Sequence, residues 1–396
     1  MTKIGFFGIL GSGNLGNDGS LEAVVAYVRR AYPDVRLDFL AMGPEELTAR
    51  YDAPATHLQW YEPHAGDATG LRAAALKVLG KLLDPYRTWK WVRKQDVVIV
   101  PGMGVLEATL PIRPWALPYS LLWLGITARL TGAKVALVSV GADYVNKRGT
   151  RWVVSRAARL AHYRSFRDEH SREALGRMGV DVRDDHVFPD LAFALPAPEP
   201  RPSTGAVGVG LMEFHGNNDD RDRADRINAA YLGTVKRFVR LMVDEGRPVR
   251  LFIGDVADLD VPGEVIADAR AHRPDADVTT RPLKSLGDLM DQMAAVDTVV
   301  ATRYHNVLCS LKSAKPTVSF GYARKSDVLM SLLGVDEFCL SAREPDFDRL
   351  VALFRRLEEN RGEVVKIVTR RSEEMAARVE DQFTELSKLV IDGGAA

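Results

Sequence analysis

Short, wholly apolar runs that end in glycine recur along this chain, and they leave few folds open to it. Residues 96–100 carry "VVIV" just before Pro101-Gly102, and residues 134–140 read "KVALVSV" just before Gly141. A strand wetted on one face alternates apolar and polar side chains. An unbroken apolar run marks a strand buried on both faces, as in a parallel sheet covered by helices. The intervening segments agree: residues 20–31 place Leu21, Val24, Val25 and Val28 on one helical face, between apolar runs at 3–9 and 35–40.

The same alternation continues with strands expected at 163–167 and 187–193 and a helix at 170–178. It is then interrupted by "LPAPEPRPSTG" at 195–205, where Pro196, Pro198, Pro200 and Pro202 make a stiff, extended connector. Beyond it the pattern restarts, with strands at 206–211, 249–254, 277–280, 298–301 and 316–320. Helices are expected at 224–243, 263–271, 286–295 and 306–312. Residues 347–389 are charged and helical in period. The fold class expected is therefore α/β, with two Rossmann-like domains facing a cleft. The first spans 1–195 and the second 206–345, and 346–396 forms a helical tail that packs back on the first. A length of 396 residues fits two cores better than one.

Composition narrows the function. Lys+Arg and Asp+Glu both number 53, so the chain has no overall cationic footprint for nucleic acid, although a local anion site remains open. The two cysteines, Cys309 and Cys339, form no Cys-x-x-Cys pair, which excludes a disulfide framework or a zinc ribbon and fits a reducing cytoplasm. The amino terminus turns glycine-rich too early for a secretory signal and reads as a first buried strand. No apolar run reaches the roughly 18 residues of a membrane span. Residues 115–130 come nearest, but they contain Pro118 and Arg129 and read as a buried helix. Residues 71–94 are basic, with Trp89 and Trp91, a composition able to lie on anionic lipid. The reading favoured for them is a helix between strands with a solvated basic face, and the localisation expected is cytoplasmic, with the inner membrane face as the alternative.

Ligands of open α/β sheets lie beyond the carboxyl ends of the strands, and four stretches fall there. The first, "GILGSGNLGNDGSLEA" at 8–23, follows a strand and opens a helix, so its backbone N–H groups are offered to an anion. Gly11, Gly13 and Gly16 have dinucleotide-type spacing, yet no acidic residue ends the second strand, which closes "LDFLAM". A plain structural turn capped by Asp18 or Ser20 is the alternative. The second, "VVIVPGMGVLE", brings Gly102 and Gly104 to a strand end. The third, "YRSFRDEHSREAL", brings Arg167, whose alternative is a surface pair with Asp168. The fourth, "ATRYHNVLCSLKSAKPTVSFGY" at 301–322, sets Arg303 and His305 two residues apart where a strand gives way to a helix. A permanent planar cation and an imidazole that titrates near neutrality suit a site that holds an anion while a proton moves.

Taken together, these stretches resemble the polysaccharide pyruvyl transferase family. The resemblance rests on Gly13-Asn14-Leu15-Gly16-Asn17-Asp18, Pro101-Gly102-Met103-Gly104, Ser165-Phe166-Arg167-Asp168, Asp190-Leu191-Ala192-Phe193 and Arg303-Tyr304-His305. Lys315-Pro316 leading to Tyr322 and Lys325 completes it, and it runs from about residue 4 to 335. Asn17 stands where the family's aspartate is usual, with Asp18 one place later, and Leu191 replaces a proline. The resemblance implies a glycosyltransferase-B-like fold and transfer of pyruvyl from phosphoenolpyruvate to two hydroxyls of a sugar or lipid-linked saccharide, with phosphate released. It implies no cofactor and no metal, phosphoenolpyruvate being the donor substrate. His305 would be the acid, and Arg303 and Asp18 complete the catalytic candidates. The substrate-binding candidates are Asn14, Gly16, Asn17, Gly102, Gly104, Arg167, Asn306, Tyr322 and Lys325, with Arg167 holding a donor anion. Two other functions compete: a nucleotide-sugar glycosyltransferase with Arg303 and the 321–325 turn on a diphosphate, and a non-catalytic sugar- or phosphate-binding relative.

Overall fold

The computed structural model describes residues 2–64, 66, 68–107, 115–216 and 218–392. It contains two parallel sheets. The first is built from β1 (Lys3–Gly8), β2 (Arg36–Ala41), β3 (Ala55–His57), β4 (Val97–Pro101), β5 (Lys134–Val140), β6 (Tyr163–Phe166) and β7 (His186–Val187), in the order β3-β2-β1-β4-β5-β6-β7. The second comprises β8 (Val207–Gly210), β9 (Val249–Phe252), β10 (Val278–Thr280), β11 (Thr298–Ala301), β12 (Thr317–Gly321) and β13 (Cys339–Ser341), in the order β10-β9-β8-β11-β12-β13. Every residue of β4 and of β11 is buried, as the unbroken apolar runs require.

Both sheets reverse direction once. The chain steps outward from β1 through β3, then resumes on the other side of β1 with β4; likewise it steps from β8 to β10 and resumes beside β8 with β11. Ile4 accordingly lies beside both Leu37 and Val97, and Thr298 beside Val207. Such reversal points open a crevice at the carboxyl ends of the two central strands.

Two expectations are corrected. The first long helix starts at Leu15 rather than residue 20, because the Asn14 carboxamide accepts the Asn17 N–H (3.1 Å) and the Asn14 carbonyl accepts that of Asp18 (3.1 Å). Gly16, Asn17 and Asp18 therefore belong to a helical turn, and Asn14, not Asp18 or Ser20, supplies the capping side chain. The strand expected at 187–193 is only His186–Val187, followed by a single turn at Leu191–Ala194. Pro189 has no N–H for a ladder and ends the pairing. Of the tail expected at 346–396, Phe347–Glu359 and Arg361–Leu386 are helical and residues 393–396 lie outside the described residues.

The chain divides into two compact units, one made of Met1–Ser12, Ser20–Leu191 and Arg378–Ala396, the other of Gly13–Gly19 and Ala192–Ala377. Within the first, the end of the long helix Arg361–Leu386 is fastened by Gln382, which is fully buried. Its amide donates to the Ser165 hydroxyl (2.7 Å) and accepts from that of Ser139 (3.0 Å), tying the helix to β5 and β6. Within the second, the connector is held by Asp297, whose carboxylate accepts from Ser203, the Thr204 N–H and Arg361.

Candidate active site

In the second unit, β11 ends at Ala301 beside the reversal point with β8, and the helix Tyr304–Lys312 begins three residues later. The backbones come so close here that a β-carbon at Gly210, the last residue of β8, would lie 2.9 Å from that of Ala301 and 2.8 Å from Asn306 Nδ2. Arg303 is the last extended residue before the helix (φ −68°, ψ 136°). Its Nε and Nη2 donate to Asp258 Oδ2 and Oδ1 at 2.8 and 2.6 Å. Asp258 is fully buried and also accepts the Glu213 N–H at 3.0 Å. Burial pulls the guanidinium's pKa down, but the Asp258 hydrogen bond and charge outweigh it and hold Arg303 above its ordinary value. The Nε–Nη2 edge of the fork therefore belongs to Asp258, which leaves the Nη1 side for a ligand. Behind it the fully buried Tyr231 bonds the Thr302 hydroxyl (2.8 Å), and burial pushes its phenol up to about 12.

His305 is half-buried and its ring lies on Gly16. Gly13–Gly19 is seated in this unit: the Asn14 Nδ2 donates to Asp255 Oδ2 at 2.7 Å and the Leu15 N–H reaches the Gly254 carbonyl at 3.3 Å. A β-carbon at Gly13, where φ is 82°, would fall 2.5 Å from Val256 Cγ1. Two glycines of the motif are thus fixed by close approach. Asp18 is buried in the same segment. Asn306, in the first turn of the helix that carries His305, is fully buried, and neither its Oδ1 nor its Nδ2 has a hydrogen-bond partner among the described residues. Such a group is costly unless something bonds it, so it marks a place for a polar ligand or water.

Tyr322 and Lys325 extend this group. The Lys325 ammonium lies 5.8 Å from the ring centroids of both Tyr304 and Tyr322, and Tyr322 packs against Phe214. Beside them a cavity of about 310 Å³ is lined by Gly321, Tyr322, Ala323, Arg324, Asp327 and Ser341 among others. The buried hydroxyls of Ser319 and Ser326 close to Gly321 have no partner among the described residues. A second cavity, about 460 Å³, is lined by Arg223, Arg226, Arg343 and the buried Asp220, which accepts from Arg223 and Arg343 at 3.0 and 2.5 Å. The sequence reading missed it. A run such as "DDRDRADR" reads as solvated, and nothing in it reveals that Asp220 is buried.

The remaining candidates belong to the first unit. Gly102 (φ 56°) packs on Ser20, and a β-carbon at Gly104 would meet the Glu107 carboxyl at 2.6 Å. The side chain of Arg167 is buried and forms a close ion pair with Glu107, with Asp168 and Asp190 each at 3.9 Å. The pairing with Asp168 at the surface, considered from sequence, is replaced by a buried cation whose main partner is Glu107. Gly141 makes this possible, since any side chain there would overlap both partners. The structure thus gathers Asn14, Gly16, Arg303, His305, Asn306, Tyr322 and Lys325 in one unit, and Gly102, Gly104 and Arg167 in the other.

Residues 14–324 match the polysaccharide pyruvyl transferase family. The chain belongs to that family. It is a transferase of polysaccharide biosynthesis, and the matched span covers every residue of the two clusters just described except Lys325. No curated protein matches it in sequence. Among solved structures it is similar to Anabaena HepE in complex with UDP and glucose, at 13% identity and a TM-score of 0.62, with 99% of this chain and 100% of that one covered. It is also similar to the UDP-GlcNAc 2-epimerase of Methanocaldococcus jannaschii (10% identity, TM-score 0.57, 89% and 92% covered) and to Acinetobacter baumannii MurG (12%, 0.53, 97% and 100%). At such identities the likeness concerns the fold, which is the two-domain, Rossmann-like GT-B architecture. No helix among the described residues is long and apolar enough to cross a membrane.

Proposed function

We propose that this family member transfers the pyruvyl group of phosphoenolpyruvate to two hydroxyls of a sugar unit, forming a ketal and releasing phosphate. The observation that carries the reading is the packing of His305 on Gly16 with Arg303 and the unpartnered Asn306 amide on the same helical turn. The second unit holds the donor. The Nη1 side of Arg303 and the Lys325 ammonium bind the donor's phosphate and carboxylate, and Asn306 bonds one of their oxygens.

The imidazolium of His305 gives its proton to the methylene carbon of the enol phosphate, which becomes a methyl group, and C2 takes on oxocarbenium character. A sugar hydroxyl adds to C2 and loses its proton to a carboxylate, for which Asp18 is the candidate. The second hydroxyl then forms its bond to C2 as the C2–O bond to phosphate breaks; its proton passes to the His305 imidazole, and inorganic phosphate leaves with the proton held by the carboxylate. General acid–base groups of this kind contribute about 100- to 10,000-fold each. Turnover in D2O tests the scheme, because the new methyl must carry one deuterium (CH2D) while phosphate appears in equal amount. Phosphate release without a ketal methyl signal would overturn it.

A second reading has one observation in its favour. The cavity at Gly321–Arg324 lies at the start of the helix Arg324–Leu332, where backbone N–H groups and a guanidinium suit a diphosphate, and the similar HepE structure contains UDP and glucose. Release of UDP from a UDP-sugar, with no reaction of phosphoenolpyruvate, would select a glycosyltransferase.

A further inference from the structure

The helix Gly70–Val92 turns to solvent the basic side chains expected of it and an apolar face besides. Leu71, Val78, Leu82 and Tyr86 are 91, 63, 73 and 61% exposed, and Leu79 is exposed beside them. At 3.6 residues per turn they fall on one face. Its inner side is mixed, with Gly80, Trp91 and Val92 buried beside Thr88 and Asp84; Asp84 accepts the Trp60 N–H at 2.8 Å and pairs with Arg87 at 3.2 Å and Lys81 at 3.6 Å. Trp115, 66% exposed, precedes the neighbouring helix Leu117–Thr131, whose Tyr119 hydroxyl donates to the Lys81 carbonyl. Monomeric proteins rarely leave so much contiguous apolar surface in water.

Charge decides what covers it. Residues 70–94 contain Arg72, Lys77, Lys81, Arg87, Lys90, Arg93 and Lys94, and Asp84 is their one acid. Arg72, Lys90, Arg93 and Lys94 are exposed beside the apolar face, and Lys77 is exposed on the other side of the helix. A second copy of the chain meeting this face through a two-fold axis would set those cations against themselves. Anionic headgroups would neutralise them while the apolar side chains enter the acyl boundary, the arrangement of interfacial amphipathic helices. We propose that this helix docks the protein on an anionic lipid bilayer. The inference does not depend on the donor chemistry, because lipid binding is read without turnover.

The test is sedimentation of the full-length protein with vesicles of pure phosphatidylglycerol and of pure phosphatidylcholine, at low and high salt. Binding to phosphatidylglycerol is expected to exceed that to phosphatidylcholine by at least about tenfold and to weaken with salt. It should fall at least about tenfold in Leu82→Glu and in Lys90→Glu/Arg93→Glu, with thermal unfolding unchanged. Leu82→Ser serves if the glutamate variant is unstable, and Trp89 and Trp115 emission should shift to the blue on binding. Absence of sedimentation, equal binding to both lipids, or a dimer in solution that Leu82→Glu converts to monomer would each overturn the proposal.

Discussion

The imidazole of His305 lies on the α-carbon of Gly16, so close that a methyl group there would come within 2.0 Å of ring atoms Cε1 and Nδ1. Glycine is an unfavourable helix residue, by roughly 0.5–1 kcal/mol relative to alanine. Gly16 nevertheless stands in the first turn of a 17-residue helix. The local cost is tolerated because the ring occupies the space of the missing side chain.

Gly16→Ala separates the two effects. If only helix propensity mattered, the variant would be as active as the parent and slightly more stable. With the ring in place, His305 must move, and a displacement of about 1 Å in a reacting group can cost roughly 100-fold. Turnover is expected to fall by that order while the protein remains folded, as checked by phosphate release alongside thermal unfolding.

His305→Gln keeps a polar side chain on the same turn but removes the titrating proton. Turnover should fall about 100- to 10,000-fold with little change in the melting temperature. A loss within about threefold, only ~0.65 kcal/mol of barrier, would return His305 to a packing role.

How far the site could be read from the sequence depends on what spacing can carry. The strands Lys134–Val140 and Thr298–Ala301 were legible to the residue, since an unbroken apolar run with a turn at its end has one reading in this fold. The three-residue edge strands Ala55–His57 and Cys339–Ser341 were not anticipated, although the equally short edge strand Val278–Thr280 was. The early start of the first helix was hidden because Gly16 argues against helix, and its reason for being glycine lies 289 positions away in His305. Arg303 and Arg167 were visible as cations at strand ends. Their partners Asp258 and Glu107, 45 and 60 residues distant, leave no trace in local spacing.

Lys312 sets a pH dependence of stability. Its ammonium donates to the Phe193 carbonyl at 2.7 Å, and burial lowers its pKa from 10.5 to about 8. The unfolded chain therefore binds this proton more tightly than the folded one. The destabilisation is complete below about pH 8 and disappears as pH rises past about 10.5. Lys312→Met should stabilise the protein at neutral pH by roughly 1–3 kcal/mol, the side chain being only partly buried, and should flatten denaturation midpoints across that window. Parallel midpoint curves for the two proteins would refute the assignment.

The Arg303–Asp258 pair gives the last prediction, and two substitutions divide its roles. Asp258 is fully buried while the Arg303 side chain is one-fifth exposed, at 20%. Removing the carboxylate leaves a cation and the Glu213 N–H without their acceptor, so Asp258→Ala should destabilise the protein by roughly 2–4 kcal/mol. Arg303→Lys keeps one charge for Asp258 but cannot bond both of its oxygens and also present a second edge to a ligand. If Arg303 serves only to neutralise Asp258, the lysine variant keeps its turnover and loses some stability. If its Nη1 side orients the donor toward His305, turnover falls nearly as far in Arg303→Lys as in Arg303→Ala, by about 100-fold, whatever happens to the melting temperature. The second outcome is expected. Near-parental turnover in the lysine variant, with only a higher apparent donor constant, would confine Arg303 to holding the turn together.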